Sequence, residues 1–265
     1  MIAIITIGID PTIELGPVTL AWHGITIALG IMIGGVAAGR YARGYGLDVD
    51  PLYTFGSLAA LGGIVGGRIF YLLENDPAGL VDPAQLFSGR GFTFGGGVIV
   101  AAGAIALYVR GRGLSPRYLA AGALGLPLGV AVGRIGDVIN GEHYGRATDF
   151  FLAVRNTHPD ADVPSPVLAY HSGGLYEVLL GVAIFAVVWP LRHRFVHVTT
   201  PVWLVLALFA VGRFVIFFFR LDSDELALGL NSAQWTSIVL LIIAIAGAAI
   251  TGQRRRGAAR PAPST

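Results

Sequence analysis

The sequence predicts an all-α integral membrane protein of about seven transmembrane helices, and three observations carry that expectation. Of its 265 residues, 54% are hydrophobic and only 13% charged, whereas a soluble domain carries roughly a quarter charged residues. The mean hydropathy is +0.70. Seven apolar runs can be drawn, several of them reaching the roughly 17 to 25 residues that a helix needs to cross the hydrocarbon layer. Their abundant glycine suits close helix packing in lipid.

The spans fall near 18–39, 52–73, 92–109, 118–139, 175–191, 201–219 and 233–251. The first ends at Arg40 and Arg43, the third at Arg110 and Arg112 with Arg117 opening the fourth, the fifth at Arg192 and Arg194, and the seventh at Arg254, Arg255, Arg256 and Arg260. These arginines occupy alternate connections and the tail, and by the positive-inside rule they face the cytoplasm. The second, fourth and sixth spans instead lead into Glu74, Asp76, Asp82, Asp149, Asp160, Asp162, Asp222, Asp224 and Glu225, with only Arg90, Arg146 and Arg155 as basic residues. Seven alternations place the N-terminus outside and the C-terminus inside. The expected organisation is a single membrane domain over 1–251, with a small extracytoplasmic cap at about 140–174. A basic cytoplasmic tail over 252–265 has no apolar face and is expected to be disordered, touching anionic lipid. Residues 1–15 contain Asp10 and Glu14 and lack a basic leader, so no cleavable signal is expected there.

Absence of cysteine excludes a disulfide framework, a thiolate nucleophile and a thiolate metal site from this chain. Any thiol chemistry has to use a partner's thiol. Arg68, Arg134, Asp137, Arg213 and Arg220 lie within or at the ends of apolar spans, with Glu142 and Glu177 close by on the outer side. Each costs at least about 2.5 kcal/mol in lipid if unpaired near mid-membrane, so one shared outward-facing polar cavity is the simplest arrangement. Snorkelling to the head groups is the bland alternative for Arg220, and a structural Arg134–Asp137 ion pair is the alternative at the fourth span. Arginine suits phosphate because its planar fork gives two parallel hydrogen bonds and keeps its charge in a partly dry site. Convergent arginines imply a phospholipid head group as ligand, and anion transport is the competing use of the same feature.

The stretch GRIGDVINGEHYGRAT at 133–148 closely resembles the signature of the prolipoprotein diacylglyceryl transferase family, approximately GRxxNFINGExxG. WHGI at 22–25, GGRIFY at 66–71, GFTFGGG at 91–97, HSGGLYE at 171–177, GRFVIFFFR at 212–220 and SAQWTSI at 232–238 follow in the family's order. This resemblance implies a bacterial inner-membrane enzyme that needs no cofactor. It implies transfer of a diacylglyceryl group from phosphatidylglycerol to the lipobox cysteine thiol of a lipoprotein precursor, releasing glycerol phosphate. By the family pattern Arg134 and Arg213 hold the phosphate. Asn140 and Glu142 orient the head group, and Arg68, Asp137, Gly145, Tyr176 and Arg220 complete the substrate-binding set.

Departures from the pattern touch the chemistry. Gly95 stands where the family has a histidine in the third span, His23 where it has tyrosine, Asp137 where it has asparagine, and Phe217 where it has glutamate. Ser172, Gly173 and Gly174 replace proline, serine and glutamine. Gly95 can accept no proton, so an active enzyme needs another base, His23, His143 or His171, with His23 attractive for its depth. A paralogue that binds phospholipid without transfer, or uses another acceptor, is the second reading. A transporter is a third, but the chain has no convincing internal repeat and almost no ionisable residue in the inner halves of its spans. Spacings of His143, His158 and His171 match no metal-ligand pattern, and the dispersed arginines give no nucleic-acid face.

Overall fold

A computed structural model describes residues 4–88, 91–221 and 225–258. The chain opens with β1 (Ile5–Ile7), β2 (Thr12–Leu15) and β3 (Val18–Ala21), followed by α1 (Trp22–Arg43) and α2 (Asp50–Asn75). A 3₁₀ segment (Pro77–Val81) and the single turn α3 (Pro83–Leu86) lead into α4 (Phe94–Gly111). Next come α5 (Arg117–Gly133) and α6 (Ile135–Asn140), then β4 (Tyr144–Ala147), β5 (Val154–Asn156) and β6 (Tyr170–Ser172). The remaining elements are α7 (Gly173–Leu191), α8 (Thr200–Ile216), β7 (Glu225–Ala227), β8 (Leu230–Asn231) and α9 (Ser232–Ala258).

Among the described residues, five helical stretches are long and apolar enough to cross a membrane: Trp22–Arg43, Asp50–Asn75, Arg117–Asn140, Gly173–Leu191 and Ser232–Gly252. Gly95–Gly111 and Thr200–Ile216 are shorter apolar helices. The chain is thus a mostly helical, multi-pass membrane protein, and each apolar run drawn from the sequence falls on one of these helices.

Short strands between the helices depart from the all-α expectation. The first helix begins at Trp22 because residues 12–21 form the β2–β3 hairpin, in register from Thr12↔Ala21 to Leu15↔Val18. Gly16 takes the left-handed conformation at its turn (φ +62°), which costs a glycine little. The Asp10 carboxylate accepts hydrogen bonds from the Thr12 backbone N–H and hydroxyl at 2.8 and 3.0 Å, and the Trp22 indole donates to the Asp10 carbonyl at 3.0 Å. Helix α8 stops at Ile216, short of the expected 219, and Arg220 then forms an antiparallel bridge with Gly145. Helix α9 continues to Ala258. The rest of the expected tail, 259–265, lies outside the described residues, as do Arg90, Asp222 and Asp224.

The chain divides into two compact units, Ala38–Gly122 and the combination of Met1–Ala37 with Ala123–Thr265. In the first, α2 packs on α4 at glycine distance: a Cβ at Gly62 would meet the Ala101 backbone at 2.7 Å, and one at Gly66 would press on Val100 at 2.6 Å. In the second, Gly34 of α1 faces the Gly125 carbonyl of α5, and Gly181 of α7 meets the Pro127 carbonyl. Lipid offers helices little hydrophobic drive to associate, so backbone approach through small residues supplies the packing.

The second unit also holds a four-stranded sheet in the order β1-β5-β6-β4. Strand β1 runs parallel to β5, with Ile5↔Val154 and Ile7↔Asn156 in register, while β6 runs antiparallel to β4 and β5. Asn156 ties the sheet to α6 by donating to the carbonyls of Val138 and Ile139, both at 3.0 Å. The end of the helix that carries Asp137 is thereby fixed.

Candidate active site

The site of the second unit grows from the turn between α5 and α6. Arg134 occupies that turn with φ −75° and ψ −10°, and Asp137 follows on the same face of α6. Gly136 lies directly on α1: a Cβ there would meet the His23 backbone at 2.6 Å. Glycine at 136 therefore lets Asp137 reach His23, whose Nδ1 is 2.5 Å from Asp137 Oδ1 and 3.3 Å from Glu142 Oε2. Gly174, at the start of α7, makes room from the other side, since a Cβ there would stand 3.0 Å from that of Asp137.

Glu177 is the hub. Its Oε2 lies 2.5 Å from Arg134 Nε, and its Oε1 lies 2.5 Å from an Arg213 terminal nitrogen and 3.8 Å from one of Arg220. Arg134 also pairs with Asp137 Oδ2. His143 closes a ring: Arg220 donates to its Nδ1 at 2.7 Å, and its Nε2 faces Asp137 Oδ2 at 3.6 Å. Glu177 is 1% and Asp137 0% exposed. Charges this deeply buried persist only when paired, and the carboxylates of Glu177 and Asp137 are what allow the guanidinium groups to crowd together. Phe217, at the glutamate position of the family pattern, lies between two of them, with the guanidinium carbons of Arg213 and Arg220 at 5.1 and 4.3 Å from its ring centroid. Its aromatic face supplies the cation–π attraction that partly replaces an acid.

Histidine tautomers follow from these contacts. A guanidinium only donates, so His143 Nδ1 accepts from Arg220 and its lone pair is spent. His23 differs, because two carboxylates face its Nδ1. That nitrogen carries a proton, so in the neutral imidazole the lone pair lies on Nε2. No described residue hydrogen-bonds Nε2, and the side chain is 37% exposed. His171 has its Nδ1 at 2.5 Å from the Tyr176 hydroxyl and packs against Phe150 and Phe219. Burial pushes its imidazole below the ordinary value.

Asn140 donates to Glu142 Oε1 at 2.8 Å, while its own Oδ1 is buried without a donor among the described residues. Burial is the largest single influence on the Glu142 carboxyl and raises it, but the hydrogen bond and charge of His23 and the hydrogen bond from Asn140 together outweigh it, so the group stays below the usual carboxylate range. Gly145 lies under Arg220 in the bridge, where any Cβ would strike the Phe219 carbonyl. His23, Asp137 and Glu142 each present a ligand atom within 4.8 Å of the others and are, among the described residues, the group that could hold a metal ion. Asp137 Oδ2 is already committed to Arg134.

Of the residues expected from the sequence, His23, Arg134, Asp137, Asn140, Glu142, Arg213 and Arg220 share this one network. Tyr176 borders it through His171, and Gly145 through its bridge to Arg220. Arg68 belongs to the other unit, where it donates to the Gln85 carbonyl at 2.9 Å and to the Gly91 carbonyl at 3.0 Å and stacks on Tyr71. Gly95 lies in the first turn of α4 in that same unit. Sequence reasoning places Glu177 among the charges of the shared cavity but gives it no binding or catalytic role. It misses Thr26 altogether, since a threonine inside a helix carries no such mark.

The chain is similar to known proteins over most of its length. The sequence is 33% identical to the phosphatidylglycerol--prolipoprotein diacylglyceryl transferase of Azospirillum brasilense over 99% of both chains. It is 30% identical to that of Neisseria meningitidis serogroup C / serotype 2a over 93% of this chain and 97% of the relative. With the Erythrobacter litoralis protein of the same name it shares 32% identity over 91% and 88% of the two chains. The family model for prolipoprotein diacylglyceryl transferase matches residues 11–250, and the chain belongs to that family.

Proposed function

We propose that the protein transfers the diacylglyceryl group of phosphatidylglycerol to the cysteine thiol of a lipoprotein precursor, and that the charged ring around Glu177 is its reaction centre. The observation that carries this reading is the convergence of Arg134, Arg213 and Arg220 on Glu177 beside a histidine whose Nδ1 is held by Asp137.

His23 Nε2 takes the proton of the acceptor thiol, whose ordinary pKa is about 8.5, and Asp137 offsets the charge the imidazole gains. The thiolate sulfur attacks the glyceryl carbon that carries the phosphate. A C–S bond forms, the C–O bond breaks with its electrons going to oxygen, and glycerol phosphate departs with one more negative charge. Arg134 and Arg213 stabilise that developing charge. Asn140 Oδ1, an unsatisfied buried acceptor, suits a hydroxyl of the glycerol head group, and Glu142 orients its neighbour.

The same reading sets the protein across a bacterial inner membrane in seven spans, N-terminus outside and C-terminus inside, with residues 140–174 as a small cap. Arginine asymmetry supports it, and so does the β1–β5 pairing, which puts the N-terminal strand on the same side as the 140–174 connection. Incubation of the purified protein with phosphatidylglycerol and a lipobox peptide tests the activity. Thioether-linked peptide and free glycerol phosphate are expected in equal amounts. Lipid binding without either product would favour the paralogue reading.

A further inference from the structure

One buried hydroxyl touches both sides of the turn that carries Arg134. Thr26, on α1 one turn after His23, is 5% exposed. Its Oγ1 donates to the Gly133 carbonyl at 2.8 Å and accepts from the Gly136 N–H at 3.1 Å. The carbonyl of His23 itself lies 3.2 Å from the same oxygen. A single atom thus joins the backbone just before Arg134, the backbone just before Asp137, and the residue that bears the imidazole. Gly136 packs onto the same spot, since a Cβ at 136 would meet the His23 N and Cα at 2.7 and 2.6 Å.

We propose that Thr26 is a positioning residue that sets the register of His23 against Asp137, so that Nδ1 is held and Nε2 is presented to the acceptor. The proposal rests on the reading of His23 as the base. A β-branched side chain inside a helix has few rotamers open to it, and here one of them makes bonds that neither α1 nor the α5–α6 turn could make alone. Without the hydroxyl, the Gly136 N–H and the Gly133 carbonyl lose a buried partner, and the two backbones no longer share a fixed point. The arrangement needs the oxygen and not merely the volume: valine fills the space without making the bonds, whereas serine makes the bonds with less volume.

The experiment compares Thr26→Val, Thr26→Ser and His23→Gln in nanodiscs containing phosphatidylglycerol. The readouts are kcat, KM for the lipid, and the downfield proton resonance of the carboxylate-bound imidazole N–H, assigned by its loss in His23→Gln. Thr26→Val is expected to lower kcat by about tenfold or more, because misplacement by about 1 Å can cost roughly a hundredfold. KM should stay within about twofold, since the arginines are untouched. Its N–H resonance should move upfield or broaden, while Thr26→Ser keeps both kcat and resonance near those of the parent. Should Thr26→Val not be recovered folded, Thr26→Ala gives the same comparison. Wild-type kcat and an unmoved resonance in Thr26→Val, beside an inactive His23→Gln, overturn the positioning role and leave the base intact. Equal losses in the valine and serine variants overturn it as well, by showing that the hydroxyl is not what matters. An active His23→Gln removes the base reading instead, and the resonance shift in Thr26→Val still decides whether Thr26 sets the His23–Asp137 register.

Discussion

His23 Nδ1 lies 2.5 Å from Asp137 Oδ1, a contact between residues 114 positions apart in the chain. Neither residue is the one the family pattern carries, and each accounts for the other. A histidine held by a carboxylate on one nitrogen can act as a base through the other. His23→Gln is expected to lower kcat by about 10² to 10⁴-fold while the protein still binds phosphatidylglycerol vesicles. Asp137→Asn should cost less, and the double variant little more than His23→Gln alone, because the pair acts as a unit. Additive losses in the peptide assay would show that the two do not work together.

Arg134 and Arg213 carry the second expectation. Replacing either by alanine should reduce release of glycerol phosphate by at least about 10² to 10³-fold, the scale of losing one preorganised charge partner. Lysine at 213 is not expected to restore it, since a point charge cannot reproduce the planar fork. Full turnover by Arg134→Ala would end the idea of a phosphate site here.

Glu177 tests the architecture instead of the chemistry. Glu177→Gln leaves Arg134, Arg213 and Arg220 crowded without their common counter-charge, and breaking a buried pair on one side costs about 3 to 5 kcal/mol. A lower thermal midpoint in detergent is expected, together with partial recovery when Arg213 is also replaced by a neutral residue. An unchanged midpoint would mean that the arginines find other partners.

How much of this could be read before folding differs from element to element. The apolar helices were legible because a length and a composition suffice to identify them, and Arg134, Asp137 and Arg213 were legible because charge in an apolar run demands an explanation. Strands β2 and β3 were hidden: Val18, Leu20 and Ala21 are as apolar as a helix start, and only pairing with residues 12–15 distinguishes them. Thr26, and the central place of Glu177, escaped for a related reason. Their importance lies in what converges on them from distant segments, and a single sequence does not display convergence. Gly174 is the intermediate case, a visible departure from the family pattern whose meaning appears only when Asp137 is seen against it.

Acidity should act on stability through His171 and Glu142. Burial among aromatic rings lowers the His171 imidazole from its ordinary 6.5, so the folded protein binds that proton less readily than the unfolded chain. The stability this contributes is complete above the unfolded value and declines as pH falls through it toward the folded value. Glu142, also held low, has the same sign at more acid pH, its contribution complete above the unfolded value of 4.5 and lost as its carboxylate protonates. Thermal midpoints should therefore fall between pH 7 and pH 5 by an amount that His171→Asn diminishes. A midpoint flat over that range in the parent protein would contradict the assignment.

Strand β1 has a consequence for biogenesis. Ile5 leaves the ribosome well before its partner Val154, by roughly 7 to 30 s at about 5 to 20 residues per second. In the proposed orientation this strand crosses the bilayer and then waits, its edge open, while four spans are threaded behind it. In that orientation β1 is translocated before its partner exists, so the cap closes only after the helices that carry Arg134 and Asp137 have entered the membrane.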